Sequence, residues 1–336
     1  MRVTITDVAK RAGVSNTTVS RVSNNKPDVD QNTRARILQI IQEMGYVRNP
    51  AATGLIAGKT NLIGFLVPSL HRPWTIEIIR GAAEGIEGTP YELVLYTTTF
   101  AERSQELFGR ALSNGLTDGL LVMLPPDGKQ YLSSLFDRGL PIVLIDDRVS
   151  FPKLPTVMAS SKEGAYQTTR HLIALGHQEI GVIAGPMEFA CCRDRLEGYK
   201  LALTEAGIAF SPRLVAQGDF LEASGFAAMK AWLDSADVPP SAVFASNDEM
   251  AFGAMKAISS KGLKIPDDVS IVGFDDIPFA AWTNPPLTTV RQPLHDIGRK
   301  AVEMLIRQIE GESLSATSVE LMTELVVRAS TCERRR

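Results

Sequence analysis

"TITDVAKRAGVSNTTVSRVSNN", Thr4 to Asn25, reads as two short helices joined by a tight turn. Thr4 is followed three residues later by Asp7, a capping box with Asp in the Glu position. Val8, Ala9 and Ala12 then recur at helical spacing, and Gly13 stands where a left-handed cap ends a helix. Ser15 is a good N-cap for a second helix through "NTTVSRV". A short, Gly-containing turn between two short helices is the helix-turn-helix signature. On the second helix Val19 and Val22 face the core, while Asn16, Thr17, Ser20, Arg21 and Asn24 share an arc of about 140°. Amide, hydroxyl and guanidinium groups are the ones that read base edges in the major groove. A merely solvated amphipathic face has the same polarity. The shortness of the helix and its basic neighbours favour the DNA reading.

Working outward, "DQNTRARILQIIQEMG" predicts a third helix capped by Asp30 and stopped by Gly45. It places Ile37, Leu38, Ile40, Ile41 and Met44 on one flank, with Arg34 and Arg36 outward near phosphates. Charge supports a polyanion partner. The first 60 residues carry nine Lys/Arg against four acids, a net of +5, which leaves −8 for the rest of a chain whose formal charge is −3. The next stretch, "NPAATGLIAGKT", Asn49 to Thr60, has a linker's composition but starts like a helix. Asn49 is a good N-cap, Pro50 suits the first helical position, and Ala51, Ala52 and Leu55 share a face. Two turns of helix are too short to hold alone in water.

From Leu62 the pattern becomes apolar run, then amphipathic run, repeated. Buried strands are expected at 62–67, 92–96, 118–124 and 141–146, then at 179–185, 213–219, 241–246 and 269–274. Helices are expected near 75–88, 101–115 and 129–139, then near 161–176, 192–207, 222–235 and 247–262. Two such sets predict two doubly wound parallel-sheet subdomains. Ligands in these sheets bind beyond the C-terminal strand ends. That rule selects Ser69, Arg72 and Trp74, then Asp146, Asp147 and Arg148, then Asp219 and Phe220. After the last strands it selects Asn247 and Asp248, then Asp275 and Asp276. Carboxylates and amides take paired hydroxyls, and aromatic faces pack the C–H faces of a sugar ring, so the set suits a polyol. Each acid also stands where a helix N-cap belongs; Asp248 is read as a cap or interdomain group, Asp275 as a ligand group.

Other classes fit less well. Hydrophobic content is 44% and charged content 22%, an ordinary globular balance rather than a disordered one. No apolar run reaches bilayer length, and the N-terminus lacks a signal-type stretch, so a cytoplasmic protein is expected. Three Cys and four His give no disulfide framework and no metal spacing, and no cofactor is expected. "GFLVPSLHRP" carries no G-x-G-x-x-G, which excludes a dinucleotide fingerprint, and no phosphate loop occurs. A glycosidase needs two carboxylates flanking one bond. Asp146 and Asp275 would have to serve, and the basic first sixty residues would then be unexplained.

The motifs together carry a resemblance. "TITDVAKRAGVSNTTVSRVSNN", "TRARI", "GYVRNPAA", "GKTNLIGFLVPSL", "GHQEIGVIAGP", "RDRLEGY", "FASNDEMAFGAMKAI", "IPDDVSIVGFDDI", "PPLTTVRQP" and "ELVVRAS" look like the LacI/GalR family of bacterial transcriptional repressors, over essentially the whole chain. The resemblance implies an all-α helix-turn-helix headpiece at 1–48 and a hinge helix or linker at 49–60. It also implies a periplasmic-binding-protein-like α/β effector and dimerisation domain at 61–330. Within that domain one subdomain is expected at 61–160 plus 290–318, the other at 161–289 plus 319–330, with a tail at 331–336. The candidate DNA contacts extend from the second helix to Thr4, Ser15, Thr33 and Tyr46. In the hinge they include Asn49, Ala52 and Leu55, the last implied to wedge a base step in the minor groove. Thr53 stands where the family often has Arg. For the effector, the resemblance points to Arg195 of "RDRL", with Arg193 beside it, and to Asn247, Asp275, Phe220 and Trp74. A guanidinium facing a carboxylate across a cleft grips vicinal hydroxyls from both sides. Arg72 replaces the family's common Asn and either favours an acidic or phosphorylated sugar or faces solvent. The implied protein is a homodimer on a near-palindromic operator, controlled by a sugar-like effector. Its dimer surface is expected on the helices near 75–88 and 101–115. The enzyme and the sugar-binding transport protein remain the competing readings of the same cleft.

Overall fold

Short-range capping decides the first unit. The computed structural model describes residues 3–46, 59–68, 70, 72–97, 117–123, 129–146, 154–235, 238–314 and 318–334. Helix α1 spans Ile5–Ala12, with Asp7 N–H donating to Thr4 Oγ1 and Thr4 N–H donating to the Asp7 carboxylate at 2.9 Å. Gly13 closes it at φ 64°. Helix α2, Asn16–Ser23, starts on Ser15, whose hydroxyl accepts from Thr18 N–H. Helix α3, Gln31–Met44, starts on Asp30, which accepts from Thr33 N–H at 2.9 Å, and ends on Gly45 at φ 60°. Val8, Val19 and Ile37 are fully buried where the three helices meet, with Ala9, Ala12 and Val22 around them.

Two details differ from the sequence reading. Of the apolar flank expected on α3 only Ile37 is buried; Leu38 is 47% exposed. Two eight-residue helices cover one stripe of a longer helix, not its whole apolar side. Arg34 is half-buried rather than outward, donating to Asn25 Oδ1 at 2.8 Å and to the Lys26 carbonyl. The chain divides into Met1–Thr60 and Asn61–Arg336. The hinge reading of Asn49 to Thr60, including Asn49, Ala52, Thr53 and Leu55, falls almost wholly outside the described residues, as does the helix expected at 101–115.

In the second unit, strands β1 (Leu62–Val67), β2 (Glu92–Thr97), β3 (Gly119–Met123), β4 (Ile142–Ile145) and β5 (Thr156–Ala159) form a parallel sheet. Its order is β11-β5-β4-β3-β1-β2, completed by β11, Ser318–Leu321. The second parallel sheet runs β7-β6-β8-β9, from Val215–Gln217, Ile180–Ala184, Ala242–Ala245 and Ser270–Val272. Central strands β3, β4, β6 and β8 are buried along their whole length because helices cover both faces. In each sheet the strand order reverses beside the first strand of the set, between β1 and β3 and between β6 and β8. Crevices open at such reversals.

Helices α4 (Pro73–Gly85) and α5 (Lys129–Asp137) belong to the first sheet. Helices α6 (Ser161–Ala174), α7 (Ala190–Glu205), α8 (Glu222–Asp234) and α9 (Asp248–Ser260) belong to the second. The sequence reading missed β5, β11 and the helix α10, Leu294–Ile309, which packs on α4. It also missed the antiparallel pair β10 (Thr289–Arg291) and β12 (Glu324–Val326). The α4–α10 crossing is backbone to backbone. A Cβ on Gly81 would lie 1.8 Å from the His295 carbonyl oxygen, and one on Gly298 would lie 2.0 Å from that of Ile78. The close crossing fixes the two N-terminal ends, Trp74 and Leu294, side by side.

The chain crosses between subdomains near Ser160, Gln292 and Thr323. Because β11 lies in the first sheet, the last crossing comes after Leu321 rather than at 318. Ser160 and Thr323 tie two crossings together, with Thr323 N–H donating to Ser160 Oγ at 2.8 Å. The tail read at 331–336 is docked as far as described. Arg334 N–H donates to the Leu175 carbonyl at 2.8 Å, and the Cys332 carbonyl accepts from buried His177 at 3.2 Å. Burial holds the His177 pKa below its ordinary value. Among the described residues no helix is long and apolar enough to cross a membrane.

Candidate functional site

The outward face of α2 is polar, as its spacing requires. Asn16, Thr17, Arg21 and Asn24 are exposed, and Ser20 is half-buried. Arg21 pairs with Asp28, both about half exposed. Asn16 Nδ2 donates to Thr6 Oγ1 at 3.3 Å and Asn24 Nδ2 to Ser20 Oγ at 3.3 Å, long bonds that are readily exchanged. Thr4 and Ser15 are exposed at helix starts, while Thr33 and Tyr46 are half-buried, Tyr46 against the headpiece core.

The second site lies where the C-terminal ends of the two sheets face each other. Trp74, Ile78, Leu294 and Ile297, from α4 and α10, and Ile145 at the end of β4 give it an apolar side. Arg195 of α7, Asn247, Asp275 and Gln292 give it a polar one, with Asp146, Cys191 and Phe220 at the edges. The cavity is about 30 Å3, room for roughly two water-sized molecules, and Trp74, Asp275, Gln292 and Leu294 also line a neighbouring, more open space of about 330 Å3. One apolar cluster runs across the cleft, joining Ile145, Leu294 and Ile297 to Phe189, Cys191 and Phe220. The subdomains are therefore closed on each other.

At its centre Arg195 Nη1 donates to the Ser246 carbonyl at 2.6 Å and lies 3.9 Å from Asp275 Oδ1. The guanidinium stacks 3.8 Å over the Phe274 ring, and its Nε is buried without a partner. Gln292 Nε2 donates to Asp275 Oδ1 at 2.6 Å. Burial pushes the Asp275 pKa up to about 7, against the pull of Arg195 and Gln292, with Asp146 and Glu249 adding to the rise. Asp248, buried beneath, is held well above the usual carboxylate range by burial and by Asp275. It accepts from Thr289 Oγ1 at 2.5 Å and from Ile277 N–H at 2.9 Å, so it braces the loop that presents Asp275. The helix cap at this point is Asn247, whose Oδ1 accepts from Met250 N–H at 3.0 Å.

Four side chains here sit on left-handed backbone: Asp146 at φ 64°, Phe220 at 69°, Asp275 at 122° and Asp276 at 56°. Each costs ~1–3 kcal/mol in a non-glycine residue, and such strain persists only where the surroundings impose it. Its concentration at one crevice marks a built site.

The structure brings together Trp74, Asp146, Arg195, Phe220, Asn247 and Asp275 of the residues read from sequence. Ser69 lies outside the described residues. Arg193 does not line the cleft; its Nη1 donates to the Met187 and Glu188 carbonyls at 2.7 and 2.8 Å. Two residues before Arg195, it lies about 200° round the helix from that inward path, and the loop carbonyls capture it. Arg72 neither lines the cleft nor faces free solvent. It donates to Glu249 Oε2 at 2.6 Å and to the Phe220 carbonyl at 3.0 Å. Sequence reasoning missed Gln292, Cys191 and, apart from Trp74, the apolar wall. Gln292 follows β10, a strand too short to be read as one, and "TTVRQP" was the only signal. Among the described residues no group of three or more His, Cys, Asp or Glu is placed to hold a metal ion.

Residues 4–49 match the model of bacterial regulatory proteins, lacI family, and residues 169–331 match that of a periplasmic binding protein-like domain. The chain is 35% identical over 328 residues to the HTH-type transcriptional repressor PurR of Aliivibrio salmonicida, covering 97% of this chain and 98% of that one. The chain belongs to the lacI family. This lacI-family chain is also similar to a solved lac repressor dimer bound to operator and the anti-inducer ONPF. That match has a TM-score of 0.85 and 30% identity over 99% of this chain and 100% of the other. A transcriptional regulator CelR–cellobiose complex is similar at TM-score 0.76 and 32% identity, over 98% of this chain and 100% of that one. As a lacI-family member the protein is a DNA-binding transcriptional regulator with a helix-turn-helix reader and an α/β effector unit.

Proposed function

We propose that this repressor binds a near-palindromic operator as a homodimer, and that a small uncharged, hydroxyl-bearing molecule in the cleft changes its operator affinity. A sugar or sugar derivative is the class the chemistry favours. The observation that carries this is the buried Arg195–Asp275 pair facing an apolar wall of Trp74, Leu294 and Ile297. The pair offers a fork of donors and a carboxylate to vicinal hydroxyls, and the wall offers a flat surface to C–H groups. The unpartnered Arg195 Nε is a donor that a ligand hydroxyl would satisfy. The solved CelR relative holds cellobiose, which supports the class. A phosphorylated ligand is disfavoured: among the described residues lining the cleft Arg195 is the one cation and already faces Asp275, and Arg72 is engaged by Glu249. Because a DNA reader precedes the cleft, we take the cleft to bind without turnover.

The coupling we propose is mechanical. Rotation of one subdomain on the other changes the separation at which two headpieces are offered to the operator. An effector that weakens operator binding tenfold, ~1.4 kcal/mol, is itself weakened tenfold by operator. A thermal-shift screen of the purified protein against mono- and disaccharides and their phosphates identifies the effector, since a ligand at 100 times its Kd adds about 2.7 kcal/mol of stability. Asp275→Ala should then keep operator binding and lose the response. A variant that responds like the parent removes the cleft from the mechanism. Stabilisation by sugar phosphates alone refutes the uncharged class, and released sugar products would restore the enzyme reading.

A further inference from the structure

We infer that Arg72 is a gating and positioning residue of the cleft, tying it shut through Phe220 and Glu249. The inference rests on the effector reading only for what the gate admits. Arg72 belongs to the first subdomain and stands at the N-cap of α4 without a side-chain capping bond, so its guanidinium reaches outward. Both of its acceptors belong to the second subdomain. Glu249 is in the first turn of α9, and Phe220 is in the loop after β7. The two bonds are 2.6 and 3.0 Å, and the side chains of Arg72 and Glu249 are only 18% and 27% exposed. Partial burial spares the pair much of the screening that weakens surface ion pairs.

Phe220 makes the tie more than a surface clasp. Its ring lines the cleft and tilts against Phe189, 5.9 Å between centroids. Its carbonyl accepts from Arg72 and also from Asn247 Nδ2 at 3.0 Å. One residue in left-handed conformation, φ 69°, is thus gripped by donors from both subdomains while its ring forms part of the ligand wall. The cavity around Arg195 holds about 30 Å3, too little for a sugar, although Trp74, Asp275, Gln292 and Leu294 also line a neighbouring space of about 330 Å3; seating a sugar against Arg195 therefore needs the subdomains to part. Parting them breaks both Arg72 bonds and frees Phe220. The strength of the tie therefore sets how often the cleft opens and where the Phe220 ring stands when it closes.

Cys191 reports opening without any effector. It lines the cleft and is 4% exposed, whereas Cys192 is fully buried beside Gly185. In full-length protein carrying Cys192→Ala and Cys332→Ser, iodoacetamide alkylation of Cys191 is followed by mass spectrometry. Arg72→Ala and Glu249→Gln should each speed it roughly fivefold, the factor for a pair worth ~1 kcal/mol. Arg72→Lys, which keeps a cation for Glu249, should stay within about twofold of the parent. The reciprocal protein, Cys191→Ala with Cys332→Ser, should alkylate Cys192 at one rate in all backgrounds. A parental Cys191 rate in Arg72→Ala or Glu249→Gln overturns the proposal. So does equal acceleration of Cys192, which would mean general loosening. Because no sugar is present, failure here is distinct from failure of the effector screen.

Discussion

The reading face of α2 and the polar wall of the cleft use the same side-chain types at opposite levels of burial. Arg21 is 48% exposed and its partner Asp28 46%. Arg195 is 3% exposed and its partner Asp275 7%. An exposed pair contributes ~0–1 kcal/mol, so Arg21 can give up Asp28 for another partner at little cost. A buried pair is different: stripping one partner leaves a charge without solvation. The headpiece therefore offers loosely held groups to a partner that brings its own charge. The cleft ties each polar group to several others, and a ligand must replace those ties one for one.

The largest break in that contrast should come from Asp248→Ala. It leaves Thr289 Oγ1 and Ile277 N–H without acceptors in a site with no access to water. Denaturant unfolding of the effector unit should show a loss of about 3 kcal/mol, and Asp248→Asn should recover most of it. A loss below ~1 kcal/mol would mean that the buried network is replaceable.

Arg21→Ala tests the other side. It should lower operator discrimination by ~1–3 kcal/mol and leave the unfolding midpoint unchanged, measured by titration with operator and scrambled duplex. Equal losses on both duplexes would make Arg21 a phosphate contact.

The pH dependence separates the regions further. The folded pKa of Asp275 is raised to about 7, so between the usual carboxylate range and that value the folded chain holds a proton that the unfolded chain does not. The group's contribution to stability therefore falls as pH rises through that window and is level above it. Relative to Asp275→Asn, the parent should lose up to ~1.4 kcal/mol per unit between about pH 5 and about pH 7. A parallel pair of curves would place the Asp275 pKa in the ordinary range.

The smallest effect belongs to Asp28→Asn. Headpiece stability should change by less than ~1 kcal/mol, and operator affinity should rise severalfold because a carboxylate no longer competes for Arg21. Weaker operator binding would show that the pair orients Arg21 for reading.

How much was legible follows the range of each interaction. Thr4 and Asp7, Ser15 and Thr18, Asp30 and Thr33 are three residues apart, so caps and helix starts were readable from order alone. Strands β1, β3, β6 and β8 were readable because burial on both faces makes them continuous apolar runs. Three-residue strands such as β10 carry too few positions to show a pattern, and with β10 went Gln292. Arg193 and Arg195 flank one position on the same helix, and only packing sends one into the cleft and the other to the loop carbonyls.

By itself, the sequence determined a basic three-helix reader, an α/β unit of two parallel sheets, and the identity of the groups at the strand ends. These rest on capping, periodicity and charge, which act within a few residues. Tertiary structure alone decided which of those groups meet. The partners of Arg72 lie 148 and 177 residues away, and no local pattern marks such a pair. It also decided that the cleft is closed, because closure is a property of two surfaces in contact and not of either chain segment.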